Sequence, residues 1–379
     1  MPNMFDYLEW RGDIKLWQSG FNNVDALIMT ELAYINHDGI VPENFEDGLV
    51  TLADEVRRYN VLHRGEKLTL GAIVPVELID LFFAAAATER FSGIGICGYV
   101  NLVDDSTVEQ FSAMTVKLSD GTVFISFRGT DDSIAGWKEN FQMSFKSPVP
   151  AQIRAAEYLN RAADYFRTVP IRVGGQSKGG NLALWAAANC RRDVADRILD
   201  VYNMDGPGFL KNYHESAGYT TIKSRIKTIV PEKSVVGMLL DHEGDYLTVK
   251  SSEHGIFQHN ALSWQIVGRD FVFLDDMSAD TKRVNKLLSD WIACMDDDFR
   301  EKFTDAFFDV LYATKSTTLS DLMDDKPALL RAFSSADSDT RQALSEGFRM
   351  LLGESGKSIG TAHRNYSKRK SKTKRYRRC

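Results

Sequence analysis

One short segment of the sequence has the residue types and spacing of a nucleophilic centre. Ser177 lies between Gly175 and Gly179 in the run GQSKG, which is a G-x-S-x-G pattern. A serine hydroxyl becomes a usable nucleophile when a sharp turn from a strand into a helix holds it away from the backbone, and the flanking glycines permit that turn. An apolar run precedes the pattern and a helix-forming run follows it. The segment therefore predicts acyl transfer with Ser177 as the nucleophile.

A nucleophilic serine also needs a base for its proton and an acid that orients the base. In α/β-hydrolases these residues follow one another along the chain as serine, acid and histidine. Asp205 is the favoured acid because it follows a short apolar strand, and ligands of open α/β sheets bind at the carboxyl ends of strands. Glu232 and Asp241 are weaker candidates. Alternatively, Asp205 only caps the Gly-Pro turn that follows it.

Five histidines follow Asp205 in the chain, and His259 is the favoured base. It lies in a loop before an apolar segment, where it can reach the active edge of the sheet. His254 and, less strongly, His242 are alternatives. His214 follows the acid too closely, and His363 lies in the C-terminal tail.

The tetrahedral intermediate of acyl transfer needs hydrogen-bond donors for its oxyanion. The first donor is expected at the backbone N–H of the residue after the nucleophile, which is Lys178. The second is expected from Thr130, which can offer its N–H and its hydroxyl. Gly129 next to it would let the backbone approach the substrate, although an ordinary strand-end turn explains this glycine equally well.

The hydrophobic pattern indicates the elements that position these residues. Strands at 111–118 and 123–127 are joined across Asp120-Gly121, a dipeptide typical of hairpin turns. After residue 150 the pattern alternates, with predicted helices at 151–167 and 179–189 and predicted strands at 171–174, 198–203, 226–230, 246–249 and 271–274. This alternation predicts an α/β fold with an α/β-hydrolase-like, mainly parallel sheet and helices on both faces.

The strand pattern stops after Asp275, which predicts three regions. Residues 1–275 form the hydrolase-like domain, residues 276–354 a helical appendage, and residues 355–379 a basic, disordered tail. Helical periodicity in the appendage is found at 282–292, 299–311, 319–333 and 340–352.

The charge is unevenly distributed along the 379 residues. The whole chain carries a net charge of −6, and the residues from Ser355 onward include ten Lys or Arg and no acid. Residues 1–354 therefore carry −16. The basic segment 357–379 can attract anionic lipid head groups or nucleic acid, or it is a solvated tail that contacts the acidic body.

The scattered cysteines and the absence of a secretory signal or a long apolar run are typical of a cytoplasmic protein. The four cysteines have neither C-x-x-C nor disulfide-framework spacing. No metal-ligand spacing or P-loop is present. Residues 93–98 match G-x-G-x-x-G but do not follow a strand and open a helix, so a turn or close packing is favoured and no cofactor is expected.

These segments resemble lipase-like α/β-hydrolases. The R-G-T run at Arg128–Thr130 together with the G-Q-S-K-G-G elbow is similar to the class 3 (fungal-type) lipases. A closer resemblance is to a bacterial lipase-like family of unknown function, over roughly residues 4–275. By position, the resemblance implies Ser177 as nucleophile, Asp205 or a nearby acid as orienter, His259 as base, and Thr130 with Lys178 as oxyanion donors.

The sequence departs from the class 3 lipases at three positions. Those lipases have His where this chain has Gln176, and Ser234 stands near their expected acid. Lys178 replaces the leucine that is frequent after the nucleophile, which predicts a less apolar entrance to the site.

Two functions fit this pattern. The first is a serine hydrolase that cleaves a carboxylic ester, as a lipase, an esterase or a lysophospholipase-like enzyme does, with a small acyl ester or lipid as substrate. The second is a catalytically weak or inactive binding module that keeps the hydrolase fold, because a fold does not dictate an activity. The displaced acid motivates this second hypothesis.

Overall fold

The computed structural model describes residues 1–242, 245–350 and 353. The helices are α1 (Met4–Arg11), α2 (Asn23–Leu32), α3 (Leu52–Leu62), α4 (Glu77–Ala86), α5 (Ile134–Gln142), α6 (Pro150–Tyr165), α7 (Lys178–Asn189), α8 (Arg192–Ala195), α9 (Ala217–Ile222), α10 (Ala279–Ala293), α11 (Asp297–Tyr312), α12 (Leu319–Asp324) and α13 (Lys326–Ser335). The strands are β1 (Val50–Thr51), β2 (Gly95–Asp104), β3 (Glu109–Lys117), β4 (Val123–Phe127), β5 (Ile171–Gln176), β6 (Ile198–Met204), β7 (Ile226–Pro231), β8 (Tyr246–Val249), β9 (Ile266–Val267), β10 (Asp270–Phe271) and β11 (Phe273–Leu274). Residues 338–350 are also helical.

Within the described residues, the main sheet has the strand order β1-β2-β3-β4-β5-β6-β7-β8-β11. Strands β4 to β8 are parallel to one another, whereas the outer pairs are antiparallel. The hairpin predicted across Asp120-Gly121 is the β3–β4 pair. The predicted α/β-hydrolase-like fold class is confirmed, and the carboxyl ends of β4 to β7 meet at one edge of the sheet, where ligands of such sheets bind.

Side chains of the central strands alternate between two cores because successive residues of a strand point to opposite faces. Phe124 of β4 and Tyr202 of β6 lie in a core that includes apolar residues of helices α1 to α4. Ile125, Phe127 and Val201 lie in a second core with residues of α6 and α7. Helices therefore cover both faces of the sheet, as predicted.

Residues 93–98, the G-x-G-x-x-G match, lead into the antiparallel strand β2, which has an irregular register between Cys97 and Val100. Gly98 has a φ of +66°, and a Cβ there would lie 2.4 Å from a ring carbon of Phe45. This glycine is required by the backbone conformation and by close packing.

The region after Asp275 is helical, but one predicted helix is wrong. The pattern predicts a single helix over 319–333, whereas α12 ends at Asp324 and α13 begins at Lys326. Pro327 lies in the first turn of α13, and the Asp325 side chain accepts a hydrogen bond from the Ala328 N–H. A proline lacks an N–H donor and disfavours helical backbone just before it, so the helix is interrupted here.

The C-terminal helices pack against the segment that follows β4. The Phe141 ring of α5 lies 5.8 Å from the Phe307 ring and 5.3 Å from the Phe308 ring of α11. The Ile134 N–H also donates to the Thr317 carbonyl oxygen, with an N–O distance of 2.9 Å. The basic tail predicted at 355–379 lies outside the described residues. In the part of the chain that is described, no helix combines the length and the apolar character needed to cross a bilayer.

Candidate active site

Ser177 occupies the turn between β5 and α7, with φ +58° and ψ −134°. This backbone conformation is costly for a residue that has a side chain, by about 1–3 kcal/mol. The Ser177 N–H donates to the Met204 carbonyl oxygen at 2.9 Å, which ties the turn to the end of β6. Among the described residues the Ser177 hydroxyl has no hydrogen-bond partner, and the side chain is half-buried at the wall of a cavity.

The glycines on either side of Ser177 are required by close backbone approach. A Cβ on Gly175 would lie 2.2 Å from the carbonyl carbon of Gly179, and one on Gly179 would lie 2.1 Å from the Phe127 oxygen. A Cβ on Gly129 would lie 3.1 Å from the Cβ of Ser177. The loop after β4 is therefore pressed against the turn that carries Ser177.

Asp205 and His259 meet at the ends of β6 and of the 3-10 turn Gly255–His259. The His259 Nδ1 lies 2.6 Å from Oδ2 of Asp205, which is fully buried. The Ser234 hydroxyl donates to the other carboxylate oxygen. Because a carboxylate only accepts hydrogen bonds, Nδ1 carries the proton of this bond, and Nε2 of the neutral imidazole is an acceptor.

Hydrogen bonds do not link all three predicted catalytic residues. His259 and Ser177 line the same cavity, but no hydrogen bond links them among the described residues. Such bonds are often long in unliganded enzymes and tighten when substrate binds. His259 Nε2 instead lies 3.4 Å from the amide nitrogen of Gln176.

The alternative acids and bases lie elsewhere. Glu232 accepts a hydrogen bond from the Gln258 amide at 3.3 Å. Asp241 lies 3.4 Å from His214. His242 bonds the Leu239 carbonyl oxygen at 3.0 Å, and His254 is exposed.

The two predicted oxyanion donors have free N–H groups on the two segments that meet at Ser177. Neither the Lys178 N–H nor the Thr130 N–H has an acceptor among the described residues. The Thr130 hydroxyl accepts a hydrogen bond from the Asn140 amide at 2.6 Å. Its own proton is therefore available for a second acceptor, such as a developing oxyanion.

The expectation that Lys178 makes the entrance less apolar is wrong. Only 1% of the Lys178 side chain is exposed, and its ammonium is bound by the Glu139 carboxylate and, at 2.7 Å, by the Gln110 carbonyl oxygen. A buried cation must be paired because desolvation is costly. The charge is thus neutralised inside the fold, and no local pattern points to Glu139 as its partner.

Gln176 is held by Tyr34, a residue that the sequence analysis missed. The Tyr34 hydroxyl donates to the Gln176 side-chain oxygen at 2.7 Å, and the Gln176 amide donates to the His259 carbonyl oxygen at 2.9 Å. Gln176 therefore connects α2 to the segment that carries His259. Tyr34 lies 142 residues before Gln176 in an otherwise apolar stretch, so no local pattern points to it.

A cavity of about 710 Å³ opens beside Ser177. Its volume is in the range of sites that hold small organic ligands. Helices α5, α10 and α11 contribute the aromatic side chains of Trp137, Phe141, Trp291 and Phe303, and Met295 between α10 and α11 also lines the cavity. The C-terminal helices thus help to form the cavity, a role that the sequence left open.

Glu31 of α2 lies in the wall of this cavity and was also missed. It is 4% exposed, and its Oε1 is enclosed without a partner among the described residues. Burial raises the pKa of this carboxyl from 4.5 to about 8, because a charge without a partner is poorly solvated there.

This shift predicts a pH-dependent stability. Between about pH 4.5 and about pH 8 the folded state holds a proton on Glu31 that the unfolded chain has released. Below about pH 4.5, Glu31 is protonated in both states and does not lower the free energy of unfolding. As the pH rises from there to about 8, the free energy of unfolding falls by about 1.4 kcal/mol per pH unit because of Glu31. Glu31→Gln removes this slope, so the variant should gain stability over the wild type as the pH rises. Urea unfolding of both proteins across this range checks it, and parallel pH profiles would contradict it.

Solved lipase structures are similar to this chain at low identity. An M37 lipase matches with a TM-score of 0.37 and 13% identity, over 58% of this chain and 70% of that chain. The Rhizomucor miehei lipase in its native propeptide complex matches with a TM-score of 0.31 and 15% identity, over 45% and 64%. A fungal lipase–inhibitor complex, described as a basis for interfacial activation, matches with a TM-score of 0.32 and 16% identity, over 54% and 81%. No curated protein matches the chain.

A family match covers the region that contains the site. The Mbeg1-like family matches residues 85–309, from the end of α4 into α11, and the segment includes Ser177, Asp205 and His259. Since the match extends over more than half of the 379 residues, the protein belongs to the Mbeg1-like family.

Proposed function

We propose that the protein is a serine hydrolase that cleaves a carboxylic ester with an apolar acyl group through an acyl-enzyme on Ser177. One observation carries the proposal. The strained turn that bears Ser177 faces a cavity whose wall also holds His259, and the Asp205 carboxylate orients that histidine at 2.6 Å. These are the three parts that serine acyl transfer requires.

In the first half-reaction, the Ser177 oxygen attacks the ester carbonyl carbon and His259 Nε2 takes the serine proton. The carbonyl oxygen becomes an oxyanion that accepts hydrogen bonds from Lys178 and Thr130. The bond to the leaving alcohol then breaks, and the proton on Nε2 passes to the departing oxygen. Removal of one such oxyanion donor typically costs about 100- to 1,000-fold in kcat.

In the second half-reaction, water attacks the acyl-enzyme carbonyl carbon and gives a proton to Nε2. The tetrahedral intermediate collapses by releasing the Ser177 oxygen, which recovers the proton from His259, and the free acid leaves. The Asp205 carboxylate stabilises the imidazolium in both halves without itself taking up a proton.

The lining of the cavity supports an apolar acyl group. Each buried methylene contributes about 0.8 kcal/mol of favourable transfer free energy until the cavity is filled. The volume of about 710 Å³ gives an acyl chain room to be buried.

The test combines a covalent probe with a series of esters. A fluorophosphonate should label the protein, with the adduct located on Ser177 by mass spectrometry, and Ser144→Ala should label equally because Ser144 is a cavity serine away from the turn. Hydrolysis of p-nitrophenyl acetate, butyrate and octanoate should show kcat/KM rising along this series. A folded protein that neither labels nor hydrolyses any of these esters would instead be a binding module.

We also propose that the protein acts in the cytoplasm. Cys97 and Cys190 are free thiols in the described part of the chain, which is typical of a reducing compartment. Burial raises the pKa of the Cys97 thiol to about 12, so this thiol is unreactive.

A further inference from the structure

Glu31 has no role in the proposed mechanism, although it lies in the wall of the catalytic cavity. No hydrogen bond to either of its carboxyl oxygens is formed by the described residues. Oε1 is fully enclosed, so Oε2 accounts for the polar surface that a ligand in the cavity can reach. A buried polar group without a partner costs free energy, on the order of 1–3 kcal/mol, and such a group in a binding cavity indicates a partner on the ligand.

The position of Glu31 places that partner close to the reacting ester. Glu31 and Tyr34 are three residues apart on the same face of α2 and its C-terminal end, and such residues are neighbours. The Tyr34 hydroxyl bonds Gln176, and a Cβ on Gly129 would lie 2.1 Å from it. Glu31 is therefore a neighbour of a residue that contacts the segments around Ser177, and Glu31, Tyr34 and Ser177 line the same cavity.

The protonation state of Glu31 limits which ligand groups it can bind. Burial raises its pKa to about 8 and is the cause of the shift, so the carboxyl is mostly protonated near pH 7. A neutral carboxylic acid has one O–H donor and one carbonyl acceptor. An aliphatic hydroxyl is complementary to both because it also donates one hydrogen bond and accepts others.

We propose that Glu31, as a neutral carboxylic acid, is a specificity residue that binds an aliphatic hydroxyl of the substrate a few carbon atoms from the ester. This inference rests on the proposed ester hydrolysis. The hydroxyl belongs to the acyl chain or to the alcohol part, and the chemistry of recognition is the same for both.

Other unpartnered atoms of the cavity wall do not provide this subsite. Trp137 Nε1 and Asn140 Oδ1 are also enclosed without partners among the described residues. Each offers only a donor or only an acceptor at that atom, and Asn140 already holds Thr130 at 2.6 Å. Of these three, Glu31 is the side chain that has both functions with neither engaged among the described residues.

The experiment compares matched substrates with and without the hydroxyl. The acyl arm uses p-nitrophenyl 3-hydroxyhexanoate against p-nitrophenyl hexanoate, and the alcohol arm uses monohexanoyl glycerol against ethyl hexanoate. In one of the two arms, the kcat/KM of the wild type should be on the order of tenfold higher for the hydroxylated ester than for the plain ester. Glu31→Gln, which keeps a donor and an acceptor without charge, should retain most of this ratio, and Glu31→Leu should bring it close to one.

Two outcomes would overturn the proposal. A wild-type ratio near one in both arms does so without any variant. Loss of the preference in Glu31→Gln also overturns the proposal, because it would mean that the ionised carboxylate is the binding form.

Failure of the proposed hydrolysis is recognised separately by calorimetric titration of Ser177→Ala with 3-hydroxyhexanoate, hexanoate and the two alcohol-arm esters. A Glu31-dependent preference there supports the hydroxyl subsite even if no ester is cleaved.

Discussion

Replacing Ser177 with alanine is expected to lower kcat for ester hydrolysis by on the order of 10⁵- to 10⁶-fold and to abolish fluorophosphonate labelling. The substitution removes the only atom proposed to form the acyl-enzyme, and the remaining parts cannot supply a covalent intermediate. Residual turnover should reflect the oxyanion donors and substrate binding alone. Steady-state kinetics on p-nitrophenyl octanoate, with titration of active sites, measures the loss.

A second substitution at the same position separates chemistry from stability. Ser177→Gly should be as inactive as the alanine variant but should raise the free energy of unfolding by about 1 kcal/mol, because glycine adopts a φ of +58° without strain. Ser177→Ala keeps a Cβ, so its free energy of unfolding should be close to that of the wild type. An active Ser177→Gly variant would exclude Ser177 as the nucleophile.

Replacing Asp205 with asparagine is expected to lower kcat by about 10³- to 10⁴-fold, with a much smaller change in KM. The amide has nearly the shape of the carboxylate and can still accept the Ser234 hydroxyl. It no longer compels His259 Nδ1 to carry the proton, and it offers no negative charge to the imidazolium that forms during attack. Rate measurements at substrate concentrations well above KM isolate this effect on kcat.

The matched control for this prediction is Glu232→Gln. Glu232 was the alternative acid, and its side chain accepts from Gln258 rather than from His259. Its replacement should change kcat by no more than about threefold, in keeping with the loss of a partly exposed hydrogen bond. If the two variants exchanged their effects, Glu232 would be the residue that orients the base.

The local pattern around Ser177 was sufficient to predict the element that carries it. The apolar run before the glycines and the helix-forming run after them are contiguous in the chain, and β5 and α7 flank Ser177 accordingly. Asp205 could also be nominated, because it directly follows the strand that became β6. The conformations that the structure adds, with positive φ at both Ser177 and Asp205, have no local signature in residues of these types.

The supporting residues could not be predicted because they come from helices distant in the chain. Glu31 and Tyr34 lie in and just after an amphipathic-looking segment, where a polar residue normally faces water. Asn140 and Glu139 lie in a stretch of unremarkable polar composition. Only the packing of α2 and α5 around the end of the sheet brings them to the cavity. This packing includes contacts of Glu139 with Lys178, 39 positions apart, and of Tyr34 with Gln176, 142 positions apart. Lys178 was misjudged for the same reason, since its partner is on α5.

The position of α5 has a consequence for how sequence change can act on this protein. One helix holds both proposed oxyanion donors, through Glu139 to Lys178 and through Asn140 to Thr130. Its other face, at Phe141, is stacked on Phe307 of the C-terminal helices. If the proposed hydrolysis holds, a substitution that reshapes the outer wall of the cavity would also displace the groups proposed to bind the developing negative charge. Substrate range and catalytic rate would then be coupled, and a change in one would select a compensating change in the other.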